Sequence, residues 1–156
     1  MQLRYYCMAL ESPQKIVALD KQHLQDLIAG ALDVFGNTCD LNYIDTSRIT
    51  DMECLFNFSH FNGDISSWDV SNVRNMQSMF AFSSFNGDIS KWDVSHVIKM
   101  DCMFHFSDFT GDITNWQPRA VLFTGSMFSD SALERQRRIP AWYQQLVYLR
   151  NRNIVN

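Results

Sequence analysis

Residues 58–80 read FSHFNGDISSWDVSNVRNMQSMF, residues 82–104 read FSSFNGDISKWDVSHVIKMDCMF, and residues 106–128 read FSDFTGDITNWQPRAVLFTGSMF. They align without a gap at a period of 24 residues. A half-unit, DLNYIDTSRITDMECLF (40–56), precedes them in the same register. Asp45, Asp69 and Asp93 therefore share one column, and Phe56, Phe80, Phe104 and Phe128 another. A fixed period of this length marks a repeat architecture, because one short unit cannot bury its own apolar face and stacked units can.

Each unit reads as a coil. Gly63, Gly87 and Gly111 stand in Asn/Thr-Gly-Asp, a turn signal in which glycine can take positive φ. The run Ile-Ser/Thr-x-Trp-Asp-Val that follows predicts a short strand with Trp68 and Val70 on one face. In Val-x-x-Met-x-x-Met-Phe the apolar spacing predicts a turn or two of helix, with Ser71 or Ser95 as N-cap. The fold class expected is α/β: a short, right-handed, leucine-rich-repeat-like solenoid of about three and a half coils, capped by a helix at each end.

The first cap is Asp20 to Phe35, with Leu24, Leu27, Ile28, Ala31, Leu32 and Phe35 at helical spacing, Asp20 as N-cap and Gly36 as the stop. The fourth unit decays: Gln117 replaces the aspartate and Pro118 interrupts. After Pro140, Trp142, Leu146 and Leu149 form the apolar stripe of a second cap. The expected organisation is one domain, with residues 1–39 as N-terminal segment and cap, 40–128 as solenoid, and 129–156 as C-terminal helical cap with a basic tail.

FNGDISSWDVSNVRNMQSMF and its copy resemble the repeat of BspA-like leucine-rich-repeat proteins, a bacterial surface-protein type. The resemblance covers about residues 40–128, entry by DLNYIDTSRITDM included. It implies adhesion or protein binding, and it brings no catalytic residues.

Composition agrees with a globular chain: 46% of the residues are hydrophobic and 19% charged. No apolar run reaches the length of about 18 residues that a membrane span needs. Tyr5 to Leu10 is too short an apolar stretch for a Sec signal, so the expectation is a chain that is cytoplasmic as made, or exported without a cleaved signal, for example into a host cell. Residues 1–130 carry 8 Lys/Arg against 16 Asp/Glu, whereas residues 131–156 carry 5 Arg against Glu134. Five arginines over that length fall short of a nucleic-acid patch, and the tail is expected to dock on its own acidic domain or to be solvated. Cys7, Cys39, Cys54 and Cys102 form no CxxC pair and read as reduced, mostly buried thiols.

Several columns mimic chemistry. Asp40, Asp64, Asp88 and Asp112, and likewise Asp45, Asp69 and Asp93, suggest calcium ladders; aspartates in such turns are expected instead to accept N–H groups of their own turn. His60, Ser84 and Asp108 share a column, but a triad needs histidine between serine and aspartate. His105 has no second ligand at a recognisable spacing, and no cofactor is expected.

Contact candidates come from columns where the units disagree: Ser67, Lys91 and Asn115, expected on a strand lining a concave face, then Arg48, Asn72 and His96, and Thr50, Arg74 and Ile98. Ile98 is read as exposed, and Arg135, Arg137 and Arg138 are candidate tail contacts. The functional expectation is a non-enzymatic module, a bacterial effector or inhibitor, binding a protein partner. The alternatives are a cell-surface adhesin-type protein and a calcium-binding repeat protein.

Overall fold

The computed structural model describes residues 14–153, so Cys7 and the segment of Tyr5 to Leu10 lie outside it. The chain runs β1 (Ile16–Val17), α1 (Lys21–Phe35), β2 (Ile44–Asp45), the repeats, α2 (Ala132–Arg135) and α3 (Ala141–Asn153). Among the described residues no helix is long and apolar enough to cross a membrane.

α1 forms where the spacing predicts it. The Asp20 carboxylate accepts the His23 N–H at 2.9 Å, and Gly36 ends the helix at φ 80° with its N–H on the Leu32 carbonyl. Leu24, Ile28 and Ala31 are buried against the repeats, and Lys21 reaches Asp51 at 3.3 Å. β1 pairs in parallel with β2, Ile16 against Ile44.

The 24-residue units stack one on the next. Parallel bridges join Asp40 to Asp64, Asp51 to Asn75, Asn75 to Lys99, and Lys99 to Phe123. The amides of Met76, Ser78, Phe80 and Phe82 donate to the carbonyls of Lys99, Asp101, Met103 and His105 of the following coil at 2.8–2.9 Å. The coils before and after repeat the pattern from Met52, Cys54, Phe56 and Phe58 and from Met100, Cys102, Phe104 and Phe106. Asparagine side chains add stitches: Asn62 Oδ1 accepts the Asn86 N–H, and Asn86 Oδ1 accepts the Thr110 N–H, both at 2.8 Å.

Inside the stack the side chains form columns. Phe56, Phe80, Phe104 and Phe128 are buried with ring centroids 5.5–5.7 Å apart, and Phe61, Phe85 and Phe109 stack beside them at 6.0–6.2 Å. Each tryptophan indole N–H donates back one coil, Trp68 to Leu41, Trp92 to Ile65 and Trp116 to Ile89. Trp142 of α3 continues the series by donating to the Ile113 carbonyl at 2.9 Å.

Three local expectations are corrected. The runs 65–70 and 89–94 form turns and irregular chain, not strands, and residues 73–80 and 97–104 form irregular chain with one bridge residue followed by turns, not helix. The reason lies in the backbone: Cys54, Ser78, Cys102 and Ser126 sit at φ 51–58°, and Phe58, Phe82, Phe106 and Asp130 at φ 49–57°. Two left-handed residues per coil, four positions apart, prevent a helix, and amides that a helix would use internally go to the neighbouring coil. Ser71 and Ser95 accordingly cap no helix; their amides donate to Asp69 and Asp93.

The repeat glycines do not sit at positive φ; among the described glycines Gly36 alone does. They are glycine for want of room. A Cβ on Gly87 would meet the Phe85 ring at 2.9 Å and the Gly63 carbonyl oxygen at 3.0 Å, and one on Gly111 the Phe109 ring at 2.6 Å.

The C-terminal stripe is also amended. Trp142 and Leu146 pack half-buried on the core, but Leu149 is 49% exposed.

Candidate functional site

The surface feature that stands apart is aromatic. Phe58, Phe82 and Phe106 occupy equivalent places on three successive coils, with 69%, 42% and 48% of their surface exposed. Their rings stack nearly parallel, at centroid distances of 4.5 Å for Phe58–Phe82 and 5.2 Å for Phe82–Phe106. His105 packs edge-on against both Phe82 and Phe106, and its Nδ1 lies 3.0 Å from the Ser129 carbonyl. All three phenylalanines are left-handed, at φ 54°, 54° and 49°. That region costs a non-glycine residue of order 1–3 kcal/mol. The backbone holds them there because each N–H donates to the next coil, to Ala81, His105 and Ser129.

Sequence reasoning missed this ladder by reading a repeated phenylalanine as core. Two signals were present. Phe56, Phe58 and Phe61 crowd into one turn, and the column ends in Asp130. A core column would not end in aspartate while Phe128 beside it stays buried.

The predicted contact residues fall elsewhere. Ser67, Lys91 and Asn115 are exposed, but they stand in turns, not on a strand lining a concave face. The Ser67 amide is held by Asn42 Oδ1, and Asn115 lines a cleft of about 290 Å³ with Trp92, Asp93, Gln117 and Arg119. This cleft opens where Gln117 and Pro118 break the repeat. Arg48, Asn72 and His96 are exposed on the next turn, where Asn72 donates to the Ser47 carbonyl. Thr50 and Arg74 are exposed, and the Arg74 guanidinium donates to the carbonyls of Ser71 and Val73. Ile98 is half-buried, which corrects its reading as exposed; the exposed apolar pair is Leu122 and Phe123, whose amides both donate to the Ile98 carbonyl.

In the tail, Arg135 lies 4.0 Å from Asp108 and donates to the Asp130 carbonyl. Arg150 donates to Thr124 and to the Val121 carbonyl, so both arginines dock on the domain. Arg137 and Arg138 are exposed, and Arg138 lines a second cleft of about 270 Å³ with Asp112, Leu133 and Pro140.

The aspartate columns serve their own turns. Asp40, Asp64, Asp88 and Asp112 accept the amides two residues on, as do Asp45, Asp69 and Asp93. Bonds from Ser66 hold the Asp64 carboxyl below the usual carboxylate range. Bonds from Ser90, Ser95, Thr114 and Ser47 do the same for Asp88, Asp93, Asp112 and Asp45. Among the described residues no three His, Cys, Asp or Glu side chains gather as a metal cage. His60, Ser84 and Asp108 stand one to a coil, with Asp108 turned to Arg135. The thiols are not mostly buried as expected: Cys54 is exposed and Cys39 and Cys102 are half-buried, which still pushes the latter two up, away from the reactive thiolate.

These features define a repeat protein of stacked, turn-built coils with an aromatic ladder along one edge. The family model that matches it is described as Mycoplasma protein of unknown function, DUF285, and it spans residues 24–142. The chain belongs to that family. The resemblance to BspA-like leucine-rich-repeat proteins is corrected accordingly: the repeat motif that suggested it lies inside the matched span, and the match is to this family. No curated protein and no solved structure matches the chain.

Proposed function

We propose that the chain is a non-enzymatic protein–protein interaction module, its stacked coils forming a solenoid that offers an aromatic edge to a protein partner. The observation that carries this reading is the ladder of Phe58, Phe82 and Phe106. An exposed apolar ring and a left-handed backbone each cost free energy, and here both fall on the same three residues. Stacking returns only about 0.5–1.5 kcal/mol per pair. The column's last member, Asp130, takes the same left-handed backbone with an exposed polar side chain, so the backbone itself does not ask for phenylalanine.

The non-enzymatic part rests on how polar side chains are spent. The repeated carboxylates bond their own turns, and the two clefts are open gaps, one at the Asn115–Arg119 break of the repeat and one between the last coil and the segment around Pro140. Such a module acts as an effector or inhibitor by covering a surface of its target. Affinity capture with the purified chain, read by mass spectrometry, tests the reading. A stoichiometric partner retained by Lys91→Glu/Asn115→Glu and lost by Phe58→Asn/Phe82→Asn/Phe106→Asn supports it. The reverse pattern moves the contact to the turn row, and a partner indifferent to both variants overturns the reading.

A further inference from the structure

Resting on the reading of the ladder as a contact surface, we propose that it docks against the same ladder of a second copy of this chain, antiparallel about a two-fold axis through Phe82. A two-fold interface must be self-complementary, and the ladder meets that demand in three ways. It has three rungs, so reversal places Phe58 opposite the other copy's Phe106 and Phe82 opposite Phe82. Rung spacings of 4.5 and 5.2 Å then meet in reverse order, a mismatch smaller than a ring's thickness.

The third is charge. Two residues beyond each rung lie His60, Ser84 and Asp108, a column with an imidazole at one end, a hydroxyl in the middle and a carboxylate at the other. Reversal brings His60 to Asp108 at both ends and Ser84 to Ser84 on the axis. A parallel arrangement would place Asp108 against Asp108. Beyond Asp108, Asp130 closes the ladder column and Glu134 accepts the Asp130 amide, with Arg135 4.0 Å from Asp108. His60 is exposed and donates to a carboxylate whether neutral or protonated.

The area sets the strength. With about 200 Å² per phenylalanine side chain, the ladder exposes on the order of 300 Å² per copy, against about 800 Å² per partner in a standard stable interface. The dimer is therefore weak and appears only as concentration rises.

Sedimentation velocity of the full chain from about 10 µM to about 1 mM tests this. The mass is expected to move from monomer toward dimer across the range, and Phe82→Asn, which removes both rings of the contact on the axis, to abolish the shift. His60→Asp, a change at an exposed position that leaves the fold alone, weakens association at least tenfold, and His60→Asp combined with Asp108→His restores it. A chain of monomer mass throughout overturns the inference, as does a dimer indifferent to His60→Asp. If the chain stays monomeric while partner capture still fails in the ladder variant, the second-copy inference falls and the contact-surface reading stands. If Phe82→Asn changes neither, both fall.

Discussion

Phe58 and Phe56 lie two residues apart and do opposite work. Phe56 is 1% exposed within the central stack, whereas Phe58 is left-handed with its ring largely in solvent. Phe56→Ala is predicted to cost about 3–5 kcal/mol. Phe58→Asn loses one ring contact and part of a buried ring face but relieves the left-handed strain, so its cost is predicted to stay within about 1 kcal/mol. Urea unfolding of the two variants checks the contrast. Gly87→Ala is the third residue to test. Its Cβ has no room between the Phe85 ring and the Gly63 carbonyl, and overpacking of that kind costs about 1–3 kcal/mol. A stabilised Gly87→Ala chain in the same urea titration would show that the close approach is not real.

At the scale of the element, α3 closes the stack by imitation. Trp142 supplies the indole that a further coil would supply, donating to Ile113 as Trp116 donates to Ile89, and it stacks on Trp116 at 6.4 Å. Trp142→Phe is predicted to lose about 1 kcal/mol, the hydrogen bond alone, and Trp142→Ala about 3–5 kcal/mol, both read by chemical denaturation. A Trp142→Phe chain as stable as the parent would mean that the indole N–H contributes nothing, and equal losses would mean that the ring adds nothing beyond it.

The element scale is also where the sequence was hardest to read. Helix α1 was legible to the residue because Asp20 and Gly36 carry their own capping chemistry. The strand and helix expected within each coil were not. Val73, Met76, Met79 and Phe80 are apolar at spacings that suit a helix, yet they are spaced by turns whose left-handed members are Ser78 and Phe82. Nothing in serine, cysteine or phenylalanine announces positive φ; the hydrogen bonds to the next coil impose it. The core columns could be read from the period, while the exposed one among them was marked only by the crowding of Phe56, Phe58 and Phe61 and by Asp130 at its end.

Across the whole molecule, the repeated aspartates make stability depend on pH. Turn hydrogen bonds lower the carboxyls of Asp45, Asp64, Asp88, Asp93 and Asp112 below their ordinary range. A group depressed in the folded state adds stability that is fully present above its unfolded value, near 3.9, and lost as pH falls through the lower folded values. All five are almost fully solvated, so each contribution is small. The melting temperature is predicted to be flat from neutral pH to about 5 and to fall below about 4. Asp64→Asn/Asp88→Asn should flatten that acid limb.

The ladder is the claim on which the functional account rests, and it separates fold from surface. Thermal unfolding of the chain carrying Phe58→Asn, Phe82→Asn and Phe106→Asn together, followed by circular dichroism, tests it most directly. The account predicts a cooperative transition displaced by no more than roughly 10 °C, since about 2–4 °C corresponds to each kcal/mol in a chain of this size. A triple variant with no cooperative transition would assign the three phenylalanines to the fold and contradict the account.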